Sequence, residues 1–277
     1  MAPHQNGSGM MPRMSKESFD KLLTDIRASL QQVEATILQR EVPFLALLAA
    51  YPTSPGCVLE IGAFKGASTV VLSRAARAAG DECIWTVDPF TSPCETDPDL
   101  AGGSGYREFL SNLEKTGEEP FVRVFQGFSR DLAKQWNQPI RLLWIDGDHT
   151  YRGTKQDFDL FSPFLSDGAI IAFHDVLATQ PGPCRVFLHE VLLSPEFGPC
   201  GLSGSIGWAQ HVKRPEVAAR YFPQKLKLYS ALCPHAGACA LGLRMPRLRK
   251  LRYNFLRNTY RQAPSSTEFL RSLATWL

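Results

Sequence analysis

Residues 58–69 read VLEIGAFKGAST, a short apolar run that passes through two glycines into the start of an amphipathic helix. Gly62 and Gly66 allow a sharp turn between strand and helix, where free N–H groups at the start of the helix can approach a ligand. The spacing lacks the middle glycine of a dinucleotide-binding fingerprint, because Phe64 stands in that place. A strand–turn–helix glycine pair is also common as a purely structural feature, so the turn needs support from its neighbours.

The residues around this turn favour a positively charged ligand. Glu60 precedes Gly62 by two positions, where a carboxylate would repel a pyrophosphate but suits the ammonium and sulfonium of S-adenosylmethionine (SAM). Asp88 ends the next apolar run, where an acid can accept both ribose hydroxyls or simply cap a turn. After the third run, Gly127 and Ser129 could meet the adenine, although Ser129 could equally be the N-cap of the next helix. We therefore expect a SAM pocket.

Short apolar runs alternate with amphipathic helices through the middle of the chain. The runs lie at 57–61, 83–87, 121–125, 141–145 and 169–173, and the helices at about 66–79, 104–116, 129–137, 151–163 and 182–194. This alternation predicts an α/β fold with a doubly wound, mostly parallel, Rossmann-like sheet that binds ligands at the carboxyl ends of its strands. A further strand near 205–211 would complete the sheet, paired antiparallel with a poorly defined strand just before it.

The 277 residues suit one large α/β domain with additions at both ends. A helical period runs from Ser15 to about Arg40, and a second short helix is expected over 43–50. We expect four parts: a disordered tail (1–14), N-terminal helices (15–52), the SAM-binding domain (53–212) and a basic, helical C-terminal extension (213–277).

Composition excludes several classes of protein. The net charge of only +3 does not demand a polyanionic partner, and no segment is apolar enough to cross a membrane. A polar opening and seven cysteines without CxxC pairs indicate a reducing, cytoplasmic location. Cys233, His235 and Cys239 lack a fourth zinc ligand. The basic segment 241–261 is either a solvated helix or a contact for an anionic membrane surface, a partner protein or RNA.

Two apolar runs continue into polar clusters, LLWIDGDHTY (142–151) and IIAFHDV (170–176). Neighbouring strand ends therefore carry five ionisable side chains, namely Asp146, Asp148, His149, His174 and Asp175. A bound cation would relieve the repulsion among them. Asp146 and Asp175 are oxygen donors suited to Mg²⁺, Mn²⁺ or Ca²⁺, while His174 could add a nitrogen or point away. Asp148 could instead order the turn or cap the following helix.

These segments carry a family resemblance. VLEIGAFKGAST, VDPF, LLWIDGDHTYRGTKQDFDLFSPFLSDGAIIAFHDV and SIGWA resemble class I methyltransferases of the methyltransferase 24 type, which are similar to metal-dependent O-methyltransferases of catechols and macrolide sugars. The likeness covers about residues 55–210, and its specific part is the IDGDH…FHDV pair. It implies a SAM-dependent O-methyltransferase that acts on a hydroxyl of a small molecule, such as a sugar or catechol-like diol, with the help of a divalent metal.

The resemblance also implies roles for the residues at the ends of the fourth and fifth strands. Asp146 would bind the metal, expected to be magnesium, and His174 and Asp175 would supply further ligands. An acid or amide is usual at the position of His174, so the identity of the ion and the need for it stay open. His149, three residues after Asp146, would be the general base.

In the cofactor pocket, the resemblance implies that Asp88 holds the ribose and that Glu60, Gly62 and Ser68 surround the methionine portion of SAM. A metal-activated hydroxyl would attack the methyl carbon in line with the sulfur. Two neighbouring hydroxyls can chelate an ion, which favours a diol as acceptor.

Three other functions remain open. An NAD-type oxidoreductase would explain the sheet and Asp88 but leaves Asp146 and Asp175 without a role. A catalytically silent SAM-fold scaffold could use its basic segment for contacts. A hydroxylase would need a 2-His-1-carboxylate spacing that is missing here. The acceptor is not readable, since the N-terminal helices, a predicted mobile lid at 91–105 and the C-terminal segment would shape its pocket. The amphipathic N-terminal helices favour a homodimer.

Overall fold

A computed structural model describes residues 14–33, 37–91, 105–242 and 263–274. In chain order the elements are α1 (Lys16–Leu30), α2 (Val42–Ala50), β1 (Cys57–Ile61), α3 (Ala67–Ala78), β2 (Ile84–Asp88), α4 (Gly105–Thr116), β3 (Val122–Gln126), α5 (Ser129–Ala133), β4 (Ile140–Ile145), α6 (Tyr151–Phe161), β5 (Leu165–Phe173), α7 (Pro181–Val186), β6 (Phe197–Ser203), β7 (Ile206–His211), α8 (Pro215–Ala219), α9 (Phe222–Ala240) and α10 (Ser266–Ser272). A π-helical segment, Phe187–Leu192, extends α7.

The seven strands form one sheet in the order β3-β2-β1-β4-β5-β7-β6. The first five strands pair in parallel, whereas β7 is antiparallel to both β5 and β6. The predicted doubly wound, mostly parallel sheet is therefore confirmed, and the poorly defined strand expected before residue 205 is β6. The chain changes direction across the sheet between β1 and β4, which is the switch point where such sheets bind ligands.

Helices cover both faces of the sheet, and β4 illustrates how its residues are shared between them. Leu142 and Trp144 pack into the core under α1, α2 and α3, whereas Leu143 and Ile145 pack into the core under α5, α6 and α7. All four side chains are almost completely buried. Burial on both faces is the reason that the parallel strands read as continuous apolar runs rather than as alternating patterns.

The N-terminal helix is shorter than its periodicity predicts. The helix α1 ends at Leu30, and residues 31–33 form a turn, so the expectation of one helical run to about Arg40 is wrong. Val33 and Ile37 are nevertheless buried in the core, with exposed fractions of 8% and 7%. Apolar spacing reports which residues are buried but not whether the backbone between them is still helical, so it could not locate the end of α1.

The C-terminal region contains a long helix that sequence patterns did not define. The helix α9 begins with a proline in its first turn, Pro223, and includes Pro234 in its interior. It buries Leu228, Leu232 and Ala236 against the second core. The sequence of α9 has two prolines and no regular apolar spacing, so 3.6-residue periodicity does not predict this helix.

Several expectations fall on residues that the structure does not describe. Most of the predicted basic segment 241–261, of the predicted lid 91–105 and of the predicted disordered tail 1–14 lies outside the described residues. Within the described ranges, no helix combines the length and the apolar character needed to cross a membrane.

We predict that Phe44→Ala lowers the free energy of unfolding by about 3–5 kcal/mol, because it leaves a cavity where three elements meet. The Phe44 side chain is fully buried in α2, and its ring centroid lies 6.2 Å from that of Trp208 in β7 and 5.9 Å from that of Phe269 in α10. Urea denaturation measures the change. Phe222→Ala is the control, because that ring is 56% exposed; equal costs for the two variants would contradict the prediction.

Candidate active site

The parallel register aligns the ends of four strands. Ile61 of β1 is paired with Val87 of β2 and with Ile145 of β4, which is paired in turn with Phe173 of β5. The residues at the next position along each strand are therefore brought to one edge of the sheet, namely Gly62, Asp88, Asp146 and His174. Two separate predictions, a cofactor turn and a polar cluster, thus fall side by side at the switch point of the sheet.

Gly62 makes this close approach possible. Its φ of +89° lies in the left-handed region, and a Cβ atom at this position would clash with the carbonyl oxygen of Asp146. Gly66 also has a positive φ, +87°, at the N-cap of α3. Phe64, which replaces the middle glycine of the dinucleotide fingerprint, adopts a φ of +48°. Left-handed backbone at a bulky residue is strained, and such strain persists where surrounding contacts impose it.

Asp88 supplies those contacts. Its Oδ2 accepts hydrogen bonds from the backbone N–H groups of Ala63, at 2.8 Å, and Phe64, at 2.9 Å, and its Oδ1 accepts one from Phe90 at 2.6 Å. Burial raises the pKa of Asp88, although these hydrogen bonds oppose the rise. The carboxylate therefore clamps the glycine turn. Oδ2 already accepts two hydrogen bonds, whereas Oδ1 accepts one and can accept a second. The assignment of Asp88 to the ribose stays a prediction.

Glu60 is fully buried behind the turn. Its two carboxylate oxygens accept hydrogen bonds of 2.6 Å from the hydroxyls of Ser68 and Thr69 in the first turn of α3. Burial raises the pKa of Glu60 to about 7, although these hydroxyls act against the rise. The side chain thus ties β1 to α3. Contact of Glu60 and Ser68 with the methionine portion of SAM stays a prediction, and the structure directs these two side chains toward each other.

A hydrogen bond between α5 and α6 was not predicted from the sequence. Ser129 is the first residue of α5, whose N-cap is Phe128, so the alternative in which Ser129 caps this helix is wrong. The Ser129 hydroxyl instead donates to Oδ1 of Asp157 in α6, at 2.5 Å. Burial raises the pKa of Asp157 to about 7. Gly127 lies beside Asp88, because its N–H donates to the Asp88 carbonyl at 3.0 Å.

Asp146 lies at the centre of the polar cluster. Its Oδ1 is 3.1 Å from Nδ1 of His174 and 3.3 Å from Nε2 of His149. Burial alone would raise the pKa of Asp146, but the two imidazoles outweigh it and lower this pKa to about 2. Burial lowers the pKa of His149, whereas Asp146 and Asp175 raise it above its usual value. Asp146 is therefore a stable anion that both histidines face.

Asp175 is the third member of a group of side chains whose ligand atoms lie close enough together to hold one metal ion. One ligand atom each of Asp146, His149 and Asp175 lies within 4.8 Å of the others, the single such group found among the described residues. Asp175 has a φ of +56°, so its backbone is left-handed as well. Asp148 stays apart, because its Oδ1 accepts the Thr150 N–H at 2.8 Å and so orders the turn before α6, as one of its predicted alternatives had it.

His174 faces carboxylates with both ring nitrogens. Nδ1 lies 3.1 Å from Asp146 Oδ1 and 3.6 Å from Asp175 Oδ2, and Nε2 lies 3.1 Å from Glu41 Oε2. Burial lowers the pKa of His174, but the three carboxylates raise it well above the ordinary value. The alternative in which His174 points away from the cluster is therefore wrong.

Glu41 is the member of the site that sequence reasoning missed. It is fully buried at the N-terminus of α2, 133 positions before His174. Its Oε1 accepts hydrogen bonds of 2.8 Å from both the backbone N–H and the hydroxyl of Ser205. Burial raises the pKa of Glu41, but His174 and Ser205 outweigh burial and lower it. A lone acid directly before the apolar helix VPFLALLAA was the only signal.

Comparison with known proteins agrees with this geometry. Residues 59–176, from β1 to just after β5, match the family described as Methyltransferase domain, of the methyltransferase 24 type. This match covers less than half of the chain, so it shows that residues 59–176 are similar to a methyltransferase domain of this type. The resemblance inferred from the IDGDH and FHDV motifs is thereby confirmed, and the matched range of this methyltransferase domain includes Gly62, Asp88, Asp146 and His174.

Solved structures share the fold of this chain. An O-methyltransferase from Bacillus cereus in complex with SAH is 18% identical, with a TM-score of 0.50 over 73% of this chain and 93% of that one. Cofactor-bound Rv0187 from MTB is 19% identical, with a TM-score of 0.52 over 72% and 92%. TomG from Streptomyces achromogenes, an O-methyltransferase in complex with SAM, is 17% identical, with a TM-score of 0.50 over 72% and 91%. The chain thus has the fold of SAM-dependent O-methyltransferases.

We predict that the stability of the Glu60→Gln variant, relative to that of the wild type, increases as the pH rises. The pKa of Glu60 rises from 4.5 to about 7 on folding, so the folded state holds this proton more tightly and the wild type loses stability between these two pH values. The variant lacks this loss. Its free energy of unfolding relative to wild type should increase by on the order of 2 kcal/mol between pH 5 and pH 8.

Urea denaturation at the two pH values measures this difference. Glu196→Gln is the control, because that residue is exposed and its variant should show no such trend. A Glu60→Gln difference that does not change with pH would show that the carboxyl is ionised in both states.

Proposed function

We propose that this chain transfers the methyl group of SAM to a hydroxyl oxygen of a small molecule. The observation that supports this most is the contact between the glycine turn and Asp146. The Asp146 N–H donates to the Ile61 carbonyl at 2.8 Å, and Gly62 packs against the Asp146 backbone. A methyl donor held at the turn would therefore lie next to the group of acids and histidines that can receive a hydroxyl.

The cofactor roles proposed here follow the predicted pocket. Gly62 and Gly66 give the backbone its close approach, Asp88 accepts the ribose hydroxyls, and Gly127 lies on the adenine side with Ser129. Ser68 and Glu60 act from beneath the turn. Because Glu60 accepts both hydroxyls of the first turn of α3, it fixes the helix N-terminus toward the methionine portion.

His149 is the proposed general base. Its Nε2 faces Asp146 at 3.3 Å and Asp175 at 4.0 Å, and its side chain keeps an exposed fraction of 18%. Carboxylates that orient an imidazole and stabilise its protonated form are the usual partners of a histidine base. His149 would take the proton of the acceptor hydroxyl while the oxygen, the methyl carbon and the sulfur lie in line.

The residues of the cluster also fit a divalent metal ion. Asp146 and Asp175 supply oxygen donors, and His174 directs a ring nitrogen at both of them. His149 lies close enough to take part in place of His174, but we assign His174 to the ion because its other nitrogen is anchored by Glu41. A bound ion would lower the pKa of the acceptor hydroxyl. Two adjacent hydroxyls chelate best, so a catechol or sugar diol is the proposed acceptor class.

We also propose the division into N-terminal helices (15–52), the SAM-binding domain (53–212) and a C-terminal extension (213–277). The first part packs on α3, and α9 of the last part packs on the second core. The homodimer, the cytoplasmic location and the contact of the basic segment with an anionic surface or partner stay predictions.

Titration calorimetry with SAM and with NAD separates the methyltransferase from an oxidoreductase. We expect binding of SAM and none of NAD, because Phe64 stands where a dinucleotide-binding turn has its middle glycine. Asp88→Asn should weaken SAM binding roughly tenfold through loss of charge-assisted hydrogen bonds. Binding of NAD in preference to SAM would contradict the proposal.

Release of SAH in the presence of catechols and sugar diols separates a catalyst from a silent scaffold. We expect His149→Gln to lower kcat by about 10²–10⁴-fold while SAM affinity stays unchanged, because only proton removal is lost. The control is His189→Gln, an exposed histidine on the π-helical segment. Treatment with EDTA and Asp146→Ala should each abolish turnover. Full turnover after chelation would remove the metal role, and SAM binding without turnover of any diol would favour the scaffold.

A further inference from the structure

The buried carboxylate of Glu41 does not cap its own helix, α2. It occupies the N-cap position of α2 without making a side-chain cap hydrogen bond. Its carboxylate instead reaches Ser205, in the turn between β6 and β7, and His174, at the end of β5. A fully buried carboxylate is costly unless hydrogen bonds satisfy it. The hydrogen bonds with Ser205 and His174 therefore stabilise a buried acid beside the catalytic cluster.

The turn between β6 and β7 is shaped around this carboxylate. Gly204 has a φ of +63°, and a Cβ atom there would lie only 2.6 Å from Oε1 of Glu41. The next residue, Ser205, donates its N–H and its hydroxyl to the same oxygen. The Ser205 carbonyl in turn accepts the N–H of Val176, directly after Asp175. Oε1 is thus fixed by two donors, which leaves Oε2 for His174.

This arrangement dictates which nitrogen of His174 carries a hydrogen. An ionised carboxylate can only accept, so Nε2 must donate its N–H to Glu41 at 3.1 Å. Metal binding would displace the hydrogen on Nδ1, and the Nδ1 lone pair would then be directed toward the side of Asp146 and Asp175, at 3.1 and 3.6 Å. A carboxylate that holds the far N–H of a histidine is the usual outer partner of a metal-bound imidazole.

We propose that Glu41 fixes His174 as a nitrogen ligand, and that the site therefore prefers a first-row transition ion such as Mn²⁺ or Co²⁺ over Mg²⁺ and Ca²⁺. The inference rests on the proposed metal role and names the ion for it. Imidazole nitrogen suits transition ions, whereas sites for Mg²⁺ and Ca²⁺ consist of carboxylate, carbonyl and water oxygens. Glu41 is a positioning residue here, since it acts on the ion only through His174.

Metal binding to the chelator-treated full chain tests this directly. Titration calorimetry with MnCl₂, CoCl₂ and MgCl₂ should give affinities for Mn²⁺ and Co²⁺ at least about tenfold higher than for Mg²⁺. The visible absorption of bound Co²⁺, which changes with its ligands, should differ between wild type and His174→Asn. Equal affinities for Mn²⁺ and Mg²⁺, or identical Co²⁺ spectra, would overturn the proposal.

Glu41→Gln is the decisive variant, because its amide reverses the tautomer. The two donors of Ser205 require the amide oxygen, so the NH₂ group of the substituted side chain would face Nε2 of His174 and force Nδ1 to carry the hydrogen. We expect Mn²⁺ affinity to fall by about 10–100-fold. The double variant Glu41→Gln/His174→Asn removes the imidazole and should bind Mg²⁺ and Mn²⁺ with similar affinity.

The matched control is Glu118→Gln. Glu118 is equally buried, but it contacts Ser73 and Arg77 in the C-terminal half of α3. This variant should lose stability without a change in Mn²⁺ affinity, which separates loss of packing from loss of positioning. Wild-type affinity in Glu41→Gln would overturn the proposal.

SAM titrations of the same samples distinguish failure of the ion preference from failure of the proposed function. If SAM binds and diols are methylated while none of the three ions binds, the ion preference is overturned and the methyltransferase proposal stands. If SAM does not bind, the proposed function itself fails.

Discussion

The contact between the ends of β1 and β4 is the constraint on which the site depends. Gly62 has no side chain, so the backbone of the cofactor turn can lie against Asp146. The register of the parallel strands then fixes Asp88 on one side and His174 on the other. A larger residue at position 62 would push apart the turn and the polar cluster, which must meet if a methyl donor is to reach an acceptor oxygen.

Around this contact, charged groups are buried in pairs rather than singly. Asp146 faces two imidazoles, and His174 faces three carboxylates from three different elements. Such compensation allows acids to be buried at the sheet edge without being neutralised. Glu60 and Asp157 are exceptions, because only hydroxyls satisfy them, and burial raises the pKa of each carboxyl. The site thus has a charged edge at the strand ends and, beneath the glycine turn, a buried acid whose neutral form is favoured by burial.

Strain is concentrated at the same edge. The three non-glycine residues with positive φ in the described chain are Phe64, Phe90 and Asp175, and each comes shortly after one of the strand ends that form the site. Left-handed backbone at such residues is imposed by surrounding contacts, here the hydrogen bonds to Asp88 and the turn at Ser205. The glycine turn and the polar cluster are therefore held by the sheet and its hydrogen bonds.

The sequence by itself determined the alternation of strands and helices, the doubly wound class of the sheet and the edge where Asp146, His149, His174 and Asp175 meet. Those features depend on local periodicity and on strand ends, which short stretches of sequence encode. Only the tertiary structure decided that α1 stops at Leu30, that Glu60 turns beneath the cofactor turn, and that Glu41 reaches His174. The contact between Glu41 and His174 joins residues 133 positions apart, and residue spacing carries no information about such contacts. The end of α1 and the direction of the Glu60 side chain depend on backbone and side-chain geometry that apolar spacing does not report.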